Sequence, residues 1–222
     1  MGECDAGRGL CRGEQVSENG GVETIFFDIG GVLLTNGWDE GQRTRVLSRL
    51  GVDLGEYEKR HGAANWRWER GLETARWFFD QTVFYEPRKF TFEELWREVK
   101  AESGVMHPNT YDVLNDLQAT CRYKVATLNN ESRELNDYRI REFGLRKYFD
   151  HFVCSGYVHE MKPHPDTYRV ALEISGTPAG QTVFIDDKPE NCEAARAVGM
   201  QAIHFTSAQQ LRSALTAIQV TL

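Results

Sequence analysis

The sequence predicts an α/β fold in which helices cover both faces of a parallel sheet, the doubly wound arrangement. Short segments of β-branched and aromatic residues alternate with stretches whose apolar residues recur at helical spacing. That alternation is typical of parallel strands joined by crossover helices. One long stretch, residues 36–107, keeps helical spacing throughout and contains no convincing strand, which predicts an all-helical insertion.

The first predicted element is a buried strand from Thr24 to Phe27. It runs into Asp28 and is followed by Gly30 and Gly31, the pattern of a strand that ends in a tight turn. Residues 1–21 are rich in glycine and charge and poor in large apolar side chains, so we expect a disordered tail there. The later strands are expected at Lys124 to Leu128, His151 to Cys154, Thr182 to Ile185 and Ala202 to Phe205. The later helices are expected at Pro108 to Ala119, Glu131 to Phe143, His164 to Ile174 and Glu190 to Val198.

Length and charge narrow the function classes. A chain of 222 residues allows one large domain, or one domain that carries an insertion. The formal net charge of −7 argues against a general binder of nucleic acid or of anionic membranes, because both need a basic face. No apolar run reaches the roughly 18–20 residues of a membrane span, and the first residues lack the apolar segment of a secretion signal. We therefore expect a cytoplasmic protein, and the odd cysteine number without a CxxC pair fits free thiols.

Polar side chains stand where the predicted strands end, and ligands bind at that edge of a parallel α/β sheet. These side chains are Asp28, the pair Asn129 and Asn130, Lys162 just before a helix, and the pair Asp186 and Asp187. Three carboxylates and one ammonium in one crevice would suit a hard divalent cation together with a phosphoryl group. Each segment alone also fits a capped turn or helix start. Their order and spacing together favour a functional site.

Four segments resemble the motifs of the haloacid dehalogenase-like (HAD) hydrolase superfamily. They are FFDIGGVLL, VATLNN, MKPHPDTY and FIDDKPENCEAARAVGM, and the resemblance extends from about Val22 to Phe205. It implies a Rossmann-like HAD core at residues 22–35 and 108–222 with a small helical cap domain at residues 36–107. Within that cap, WERGLETARWFF resembles a segment of relatives of bacterial sugar-phosphate phosphatases.

The resemblance also implies a reaction. We expect a Mg²⁺-dependent phosphatase that hydrolyses a small phosphorylated metabolite and works as a monomer or homodimer. Asp28 would be the nucleophile that forms an aspartyl-phosphate. Lys162 would neutralise charge on the nucleophile and on the phosphoryl oxygens.

The implied metal ligands are the Asp28 carboxylate, the backbone carbonyl of Gly30 and an aspartate of the fourth motif. Adjacent residues at a strand end point to opposite sides, so Asp186 and Asp187 are not expected to be equal ligands. We favour Asp187 for direct contact, with Asp186 bridging through water or orienting Lys162.

The second motif normally ends its strand with a Ser or Thr that binds the phosphoryl group, and here the match is looser. Asn129 stands in that place with Asn130 after it, while Thr127 takes the role if the strand ends two residues earlier. An amide can still donate to an anionic oxygen.

Gly30 is the main departure from the family pattern. Phosphatases of the superfamily usually carry a second aspartate at this position, which protonates the leaving group. One interpretation is a phosphatase with a good leaving group, such as a sugar 1-phosphate, or with an acid supplied by His61, Glu69 or His107. A second is a metal-independent haloacid dehalogenase, whose halide needs no proton. A third is a catalytically weak or non-enzymatic scaffold protein.

Substrate choice is expected to lie with the cap. Its possible substrate contacts are Trp38, Arg43, Trp66, Arg67 and Trp68. Opening and closing of the cap about joints near Asn36 and His107 would exclude water during the reaction.

Overall fold

The computed structural model describes residues 21–222, and its centre is a five-stranded sheet with all neighbouring strands parallel. The strands are β1 (Thr24–Phe27), β2 (Lys124–Asn129), β3 (His151–Cys154), β4 (Thr182–Asp186) and β5 (Gln201–His204). Their order across the sheet is β3-β2-β1-β4-β5, which places β1 in the middle. The tail prediction concerns residues that, except for Gly21, lie outside the described part of the chain.

Ten α-helices are described. Those of the long stretch between β1 and β2 are α1 (Glu40–Arg49), α2 (Leu54–Glu69), α3 (Ala75–Thr82) and α4 (Phe92–Ala101). The others are α5 (Thr110–Thr120), α6 (Arg133–Glu142), α7 (Ser155–Val158), α8 (Pro165–Ser175), α9 (Pro189–Ala197) and α10 (Ala208–Ala217). None of the described helices is long and apolar enough to cross a membrane.

Both faces of the sheet are buried. On β1, Ile25 and Phe27 point into a cluster that includes Leu117 of α5 and Leu215 of α10. Phe26 points the other way, into a cluster with α8 and α9. Because successive side chains of a strand face opposite sides, one central strand contributes to two cores. The predicted doubly wound α/β fold is confirmed.

The helical insert, residues 36–107, has a hydrophobic cluster of its own. Trp68 stacks on Phe78, with ring centroids 4.3 Å apart, and meets Phe79 edge-on at 5.7 Å. Side-chain caps fix where its helices begin, as when Asp39 accepts from the backbone N–H of Gln42. The insert is therefore built around its own aromatic core, and its role as a cap over the sheet stays a prediction.

The predicted boundaries differ from the observed ones by small amounts. Strands β2 and β4 each extend one residue further than predicted, to Asn129 and Asp186, and β5 lies one residue earlier, at Gln201–His204. The four predicted helices of the sheet domain begin and end within two residues of α5, α6, α8 and α9. Helices α7 and α10 were not predicted. Half of the residues of helix α10 are polar, and only two of its residues, Leu211 and Leu215, are buried.

Candidate active site

The ends of the three central strands bring the candidate residues together. Asp28 follows β1, Asn129 ends β2 and Asp186 ends β4, and parallel strands place these ends at one edge of the sheet. The turn after β1 depends on Gly31, whose φ of +71° lies in the left-handed region. A Cβ at this position would stand 2.2 Å from Asp187 Oδ2. The glycine therefore lets the first turn approach the end of β4 closely.

Lys162 lies between two of the carboxylates. Its Nζ is 3.1 Å from Asp28 Oδ2 and 2.6 Å from Asp186 Oδ2, and its side chain is buried. Burial lowers the pKa of Lys162, but attraction to Asp28 and Asp186 outweighs burial and leaves the pKa raised. Asn130 fixes the lysine backbone with two hydrogen bonds, of 2.8 and 2.9 Å. A charged ammonium is thus held beside Asp28.

Asp186 is fully engaged by donors. Besides Lys162, its oxygens accept from the backbone N–H of Lys188 at 2.8 Å and from Asn191 Nδ2 at 3.0 Å. Asp186 has no exposed surface, both of its oxygens accept hydrogen bonds, and its Oδ2 holds Lys162 Nζ at 2.6 Å. This is the arrangement expected of an aspartate that orients the lysine.

Asp187 has the opposite character. Its Oδ1 is buried and has no hydrogen-bond partner among the described residues. Burial and the charge of Asp186 raise the pKa of Asp187. Ligand atoms of Asp28, Asp186 and Asp187 all lie within 4.8 Å of one another. Because an unpaired buried carboxylate oxygen is costly and hard cations bind such oxygens, this donor set fits a divalent cation.

Asp28 itself is perturbed by its surroundings. Burial raises the pKa of its carboxyl, Lys162 opposes that effect, and Asp186 adds to it, so the pKa is raised to about 7. The backbone N–H of Ile29 also donates to its Oδ1 at 2.7 Å. Positive charge beside Asp28 therefore decides whether its carboxyl is ionised at neutral pH.

Asn129 stands at the strand end, as its favoured register requires. Its Nδ2 donates to Asn136 Oδ1 at 3.0 Å, while its Oδ1 is buried without a partner among the described residues. Nδ2 also donates to Cys154 Sγ at 3.8 Å, so one of these two contacts must be given up before the amide can donate to a phosphoryl oxygen. Thr127 lies within β2 and does not line the pocket described next.

An open, mostly polar pocket lies in front of Asp28. It is lined by Asp28, Gly30, Asn36, Gly37, Asn129, Asn130, Arg139, Lys162, Lys188 and Asn191. Sequence reasoning missed Gly37, Arg139 and Lys188. It named Asn36 only as lying near a joint of the cap, and it treated Asn191 only as part of a possible helix cap. A signal for Asn191 did exist, because it lies within the fourth motif. Arg139 carries no local signal, since its partners come from distant parts of the chain.

Gly30 lines this pocket with backbone alone. A Cβ at Gly30 would stand 2.7 Å from Asn36 Oδ1. The Asn36 amide thus fills the space into which a side chain at position 30 would project. The first motif supplies no acid here.

The proposed substrate contacts in the helical insert differ in how accessible their side chains are. Trp38 and Trp68 are buried in the core of the insert, and Trp38 Nε1 donates to Tyr57 Oη at 2.8 Å. They are not available to a substrate, because the aromatic spacing that singled them out is that of an ordinary helix core. Arg43 pairs with Glu58, and Arg67 pairs with Glu73. Trp66 is half-exposed, and the guanidinium of Arg70 lies over its ring at 4.8 Å.

A family model of haloacid dehalogenase-like hydrolases matches residues 22–199. The chain belongs to this family. It is therefore an enzyme of the HAD hydrolase type, as the four motifs predicted.

Individual relatives are distant. Protein SUPPRESSOR OF QUENCHING 1, chloroplastic, of Arabidopsis thaliana is 26% identical over 193 residues, which cover 83% of this chain and 18% of that protein. The fructose-1-phosphate phosphatase YqaB of Escherichia coli is 38% identical over 64 residues, 29% of this chain and 34% of that protein. The chain thus spans less than half the length of these two curated relatives.

Among solved structures, the HAD family enzyme bt-2542 of Bacteroides thetaiotaomicron has been determined in complex with magnesium and inorganic phosphate. Its TM-score is 0.71 at 21% identity, over 84% of this chain and 96% of that one. At this identity the likeness shows the HAD fold.

Proposed function

We propose that the protein is a Mg²⁺-dependent phosphomonoester hydrolase that acts through Asp28 on a small phosphorylated metabolite. One observation carries the proposal: the Asp28 carboxylate contacts a buried ammonium at 3.1 Å and shares a cluster of 4.8 Å with Asp186 and Asp187. A nucleophile, a fixed cation and a carboxylate set for a metal are the parts that phosphoryl transfer needs.

The relatives support the same reaction class. YqaB is named as a phosphatase of a sugar phosphate, and bt-2542 has been solved with magnesium and inorganic phosphate. Because the matched segments cover small parts of the curated relatives, we transfer the class of reaction and not a substrate. The open pocket near Asp28 is lined mostly by polar and charged residues, which suits an anionic phosphoryl group.

The residues that would hold Mg²⁺ are the Asp28 carboxylate, the Gly30 carbonyl and Asp187. Asp187 is favoured because its Oδ1 lacks a hydrogen-bond partner among the described residues, while Asp186 is saturated by donors. When bound, the ion supplies positive charge against the phosphoryl oxygens.

The remaining chemistry belongs to the side chains. Lys162 favours the ionised form of Asp28 and neutralises the incoming phosphoryl group. An Asp28 oxygen attacks phosphorus, the bond from phosphorus to the leaving oxygen breaks, and an aspartyl-phosphate remains. Water then attacks that phosphorus, which releases phosphate and restores the carboxylate.

We also propose that the helical insert is a cap domain over the core formed by residues 22–35 and 108–222. Its helix α2 ends against the core, where the Ser155 hydroxyl donates to the Glu69 carbonyl at 2.6 Å. A cap in that position would shield the pocket from water during the reaction.

A haloacid dehalogenase is the second candidate, and Gly30 is the observation that favours it. A halide leaving group needs no proton, so a first motif without a second acid would be sufficient. The buried Oδ1 of Asp187, which has no hydrogen-bond partner among the described residues, would then have no role, and we therefore rank this function lower.

Phosphate release from a panel of phosphorylated metabolites, measured with Mg²⁺ or with EDTA, tests the proposal. We expect Mg²⁺-dependent release by the native chain and none by Asp28→Asn. Asp116→Asn is the matched control, because Asp116 makes a half-exposed ion pair with Arg212 away from the site. Equal activity of native protein and Asp28→Asn would refute the nucleophile. Halide release from 2-haloacids without metal, in the absence of phosphatase activity, would establish the dehalogenase instead.

A further inference from the structure

The proposed reaction lacks a proton donor for the leaving group. Gly30 has no side chain, and Asn36 Oδ1 would stand 2.7 Å from a Cβ added there. General acid help is typically worth about 10²–10⁴ in rate, so a phosphatase that acts on alkyl esters needs a donor from elsewhere. The helical insert, whose helix α2 ends against the core, could supply such a donor.

The end of α2 is fixed to the core beside the pocket. The Glu69 carbonyl accepts from Ser155 Oγ at 2.6 Å, and the same hydroxyl accepts from the backbone N–H of Glu131 at 2.9 Å. Two residues after Glu69, a Cβ at Gly71 would stand 2.1 Å from the carbonyl oxygen of Gly156. Ser155 thus joins the last residue of α2 to the segment that follows β2. Glu69 is thereby held next to the carboxyl ends of the strands.

Polar and charged side chains of both the insert and the core act on the Glu69 carboxyl. Asn65, one turn earlier on α2, hydrogen-bonds its carboxyl, while Glu131 repels it from the core side. Lys188, which lines the pocket with Asp28, and Arg43 of α1 attract it. Burial is the largest influence and Glu131 the next, and together they raise the pKa of Glu69 to about 7. A carboxyl of this kind holds its proton in a substantial fraction of molecules at neutral pH.

Other groups are less suited to this task. His61 packs between Tyr57 and Phe78 in the insert, and burial lowers its pKa to about 4, so it is neutral at pH 7. His107 lies against Phe205, with ring centroids 5.2 Å apart, and lines a different pocket. The Glu131 carboxylate is paired with Arg139 at 2.7 Å.

From this juxtaposition we infer that Glu69 of the helical insert is the general acid and base of the reaction, in place of the side chain that Gly30 lacks. The inference rests on the proposed function. As an Asp28 oxygen bonds to phosphorus and the ester bond breaks, the leaving oxygen takes the Glu69 proton and departs as an alcohol. The Glu69 carboxylate then accepts a proton from the water that attacks the phosphorus of the aspartyl-phosphate. Phosphate leaves, Asp28 is restored, and Glu69 is protonated again for the next cycle.

The test is the dependence of kcat/KM on the leaving group. A series of aryl phosphates from p-nitrophenyl phosphate to phenyl phosphate spans good and poor leaving groups. With Glu69→Gln we expect a loss of about 10²-fold or more for phenyl phosphate and of less than about threefold for p-nitrophenyl phosphate, which departs unprotonated. Glu69→Asp, which keeps the acid, should restore part of the loss for phenyl phosphate.

The matched control is Glu73→Gln, because Glu73 lies in the connection between α2 and α3, just after Glu69, and pairs with the exposed Arg67. It should leave the whole series unchanged. A ratio between two substrates does not depend on the fraction of protein that is folded, so a stability loss in Glu69→Gln does not disguise the result. Equal losses for both substrates would overturn the role of Glu69 and leave the phosphatase standing. Absence of activity in the native chain would instead overturn the proposed function.

Discussion

The buried ion pair between Glu131 and Arg139 gives the sharpest stability prediction. Side-chain exposure is 4% for Glu131 and 2% for Arg139, and Arg139 Nη1 lies 2.7 Å from Glu131 Oε2. Arg139 also donates to the carbonyl of Thr35, in the segment that leads into the helical insert. Gly37, two residues on, packs so closely that a Cβ there would stand 1.9 Å from Glu131 Oε2. One arginine thus connects α6, the end of β2 and the entry to the insert.

We expect Arg139→Met to lower the free energy of unfolding by about 3–5 kcal/mol, because it leaves the Glu131 carboxylate buried without its cation. For a chain of this length that corresponds to a fall in Tm of roughly 6–20 °C. Urea unfolding measures the change. Arg212→Met is the matched control, since Arg212 pairs with Asp116 while both are about two-fifths exposed, and it should cost about 1 kcal/mol or less.

The same variant has a predicted pH dependence. Burial already raises the pKa of Glu131 against the pull of Arg139, so removal of Arg139 raises that pKa further. A carboxyl whose pKa is higher in the folded state binds more protons there, so folding gains stability as the pH falls. The deficit of Arg139→Met should therefore be smaller at pH 5 than at pH 8. A deficit below about 1 kcal/mol, or one independent of pH, would refute the reasoning about a stranded buried charge.

Three further predictions follow from single contacts. Gly31→Ala and Gly51→Ala both place a Cβ at positive φ, which should cost about 1–2 kcal/mol in urea unfolding. Gly31→Ala should cost more than Gly51→Ala, because its Cβ would stand 2.2 Å from Asp187 Oδ2 while the Cβ at Gly51 meets nothing within 4 Å, and only Gly31→Ala should also lose Mg²⁺-dependent activity. Gly30→Asp alone should not speed the hydrolysis of phenyl phosphate, because Asn36 Oδ1 stands 2.7 Å from the new Cβ. Gly30→Asp combined with Asn36→Gly should speed that hydrolysis, because the space is then free. Faster hydrolysis by the single variant would contradict this reasoning. Burial lowers the pKa of His61 to about 4, so the stability that neutral His61 contributes is present above pH 6.5 and is lost as the pH falls toward 4. His61→Phe should remove up to about 3 kcal/mol of this loss of stability in acid. Identical pH profiles of the unfolding free energy for the native protein and His61→Phe would disprove this prediction.

The sequence predicted those parts of the fold that depend on local pattern. Strand β1 was placed correctly because TIFF followed by aspartate and two glycines has few alternative structures. Helix α10 was missed because only Leu211 and Leu215 are buried and its packing on α5 comes from distant sequence. Boundary errors of one residue at β2, β4 and β5 arose where strand ends depend on the neighbouring strand.

In the candidate site, too, residues with a local sequence signal could be predicted and residues without one could not. Residues that carry motif identity, such as Asp28 and Lys162, could be named from order and spacing. Arg139 could not be named, because its partners Glu131 and Thr35 meet it only in the folded chain. Trp38 and Trp68 were offered as substrate contacts because helical spacing of aromatics does not distinguish a core from a binding surface. Their burial in the insert decides the matter.

The covalent intermediate on Asp28 tests the central claim most directly. Native enzyme mixed with substrate and Mg²⁺ is quenched during turnover and reduced with borohydride, which converts an acyl-phosphate on aspartate to homoserine. Peptide mass spectrometry then locates the change. We predict homoserine at position 28, dependent on substrate and absent from Asp28→Asn. Turnover of a phosphate ester with position 28 still aspartate, or with homoserine at Asp186 or Asp187, would contradict the assignment.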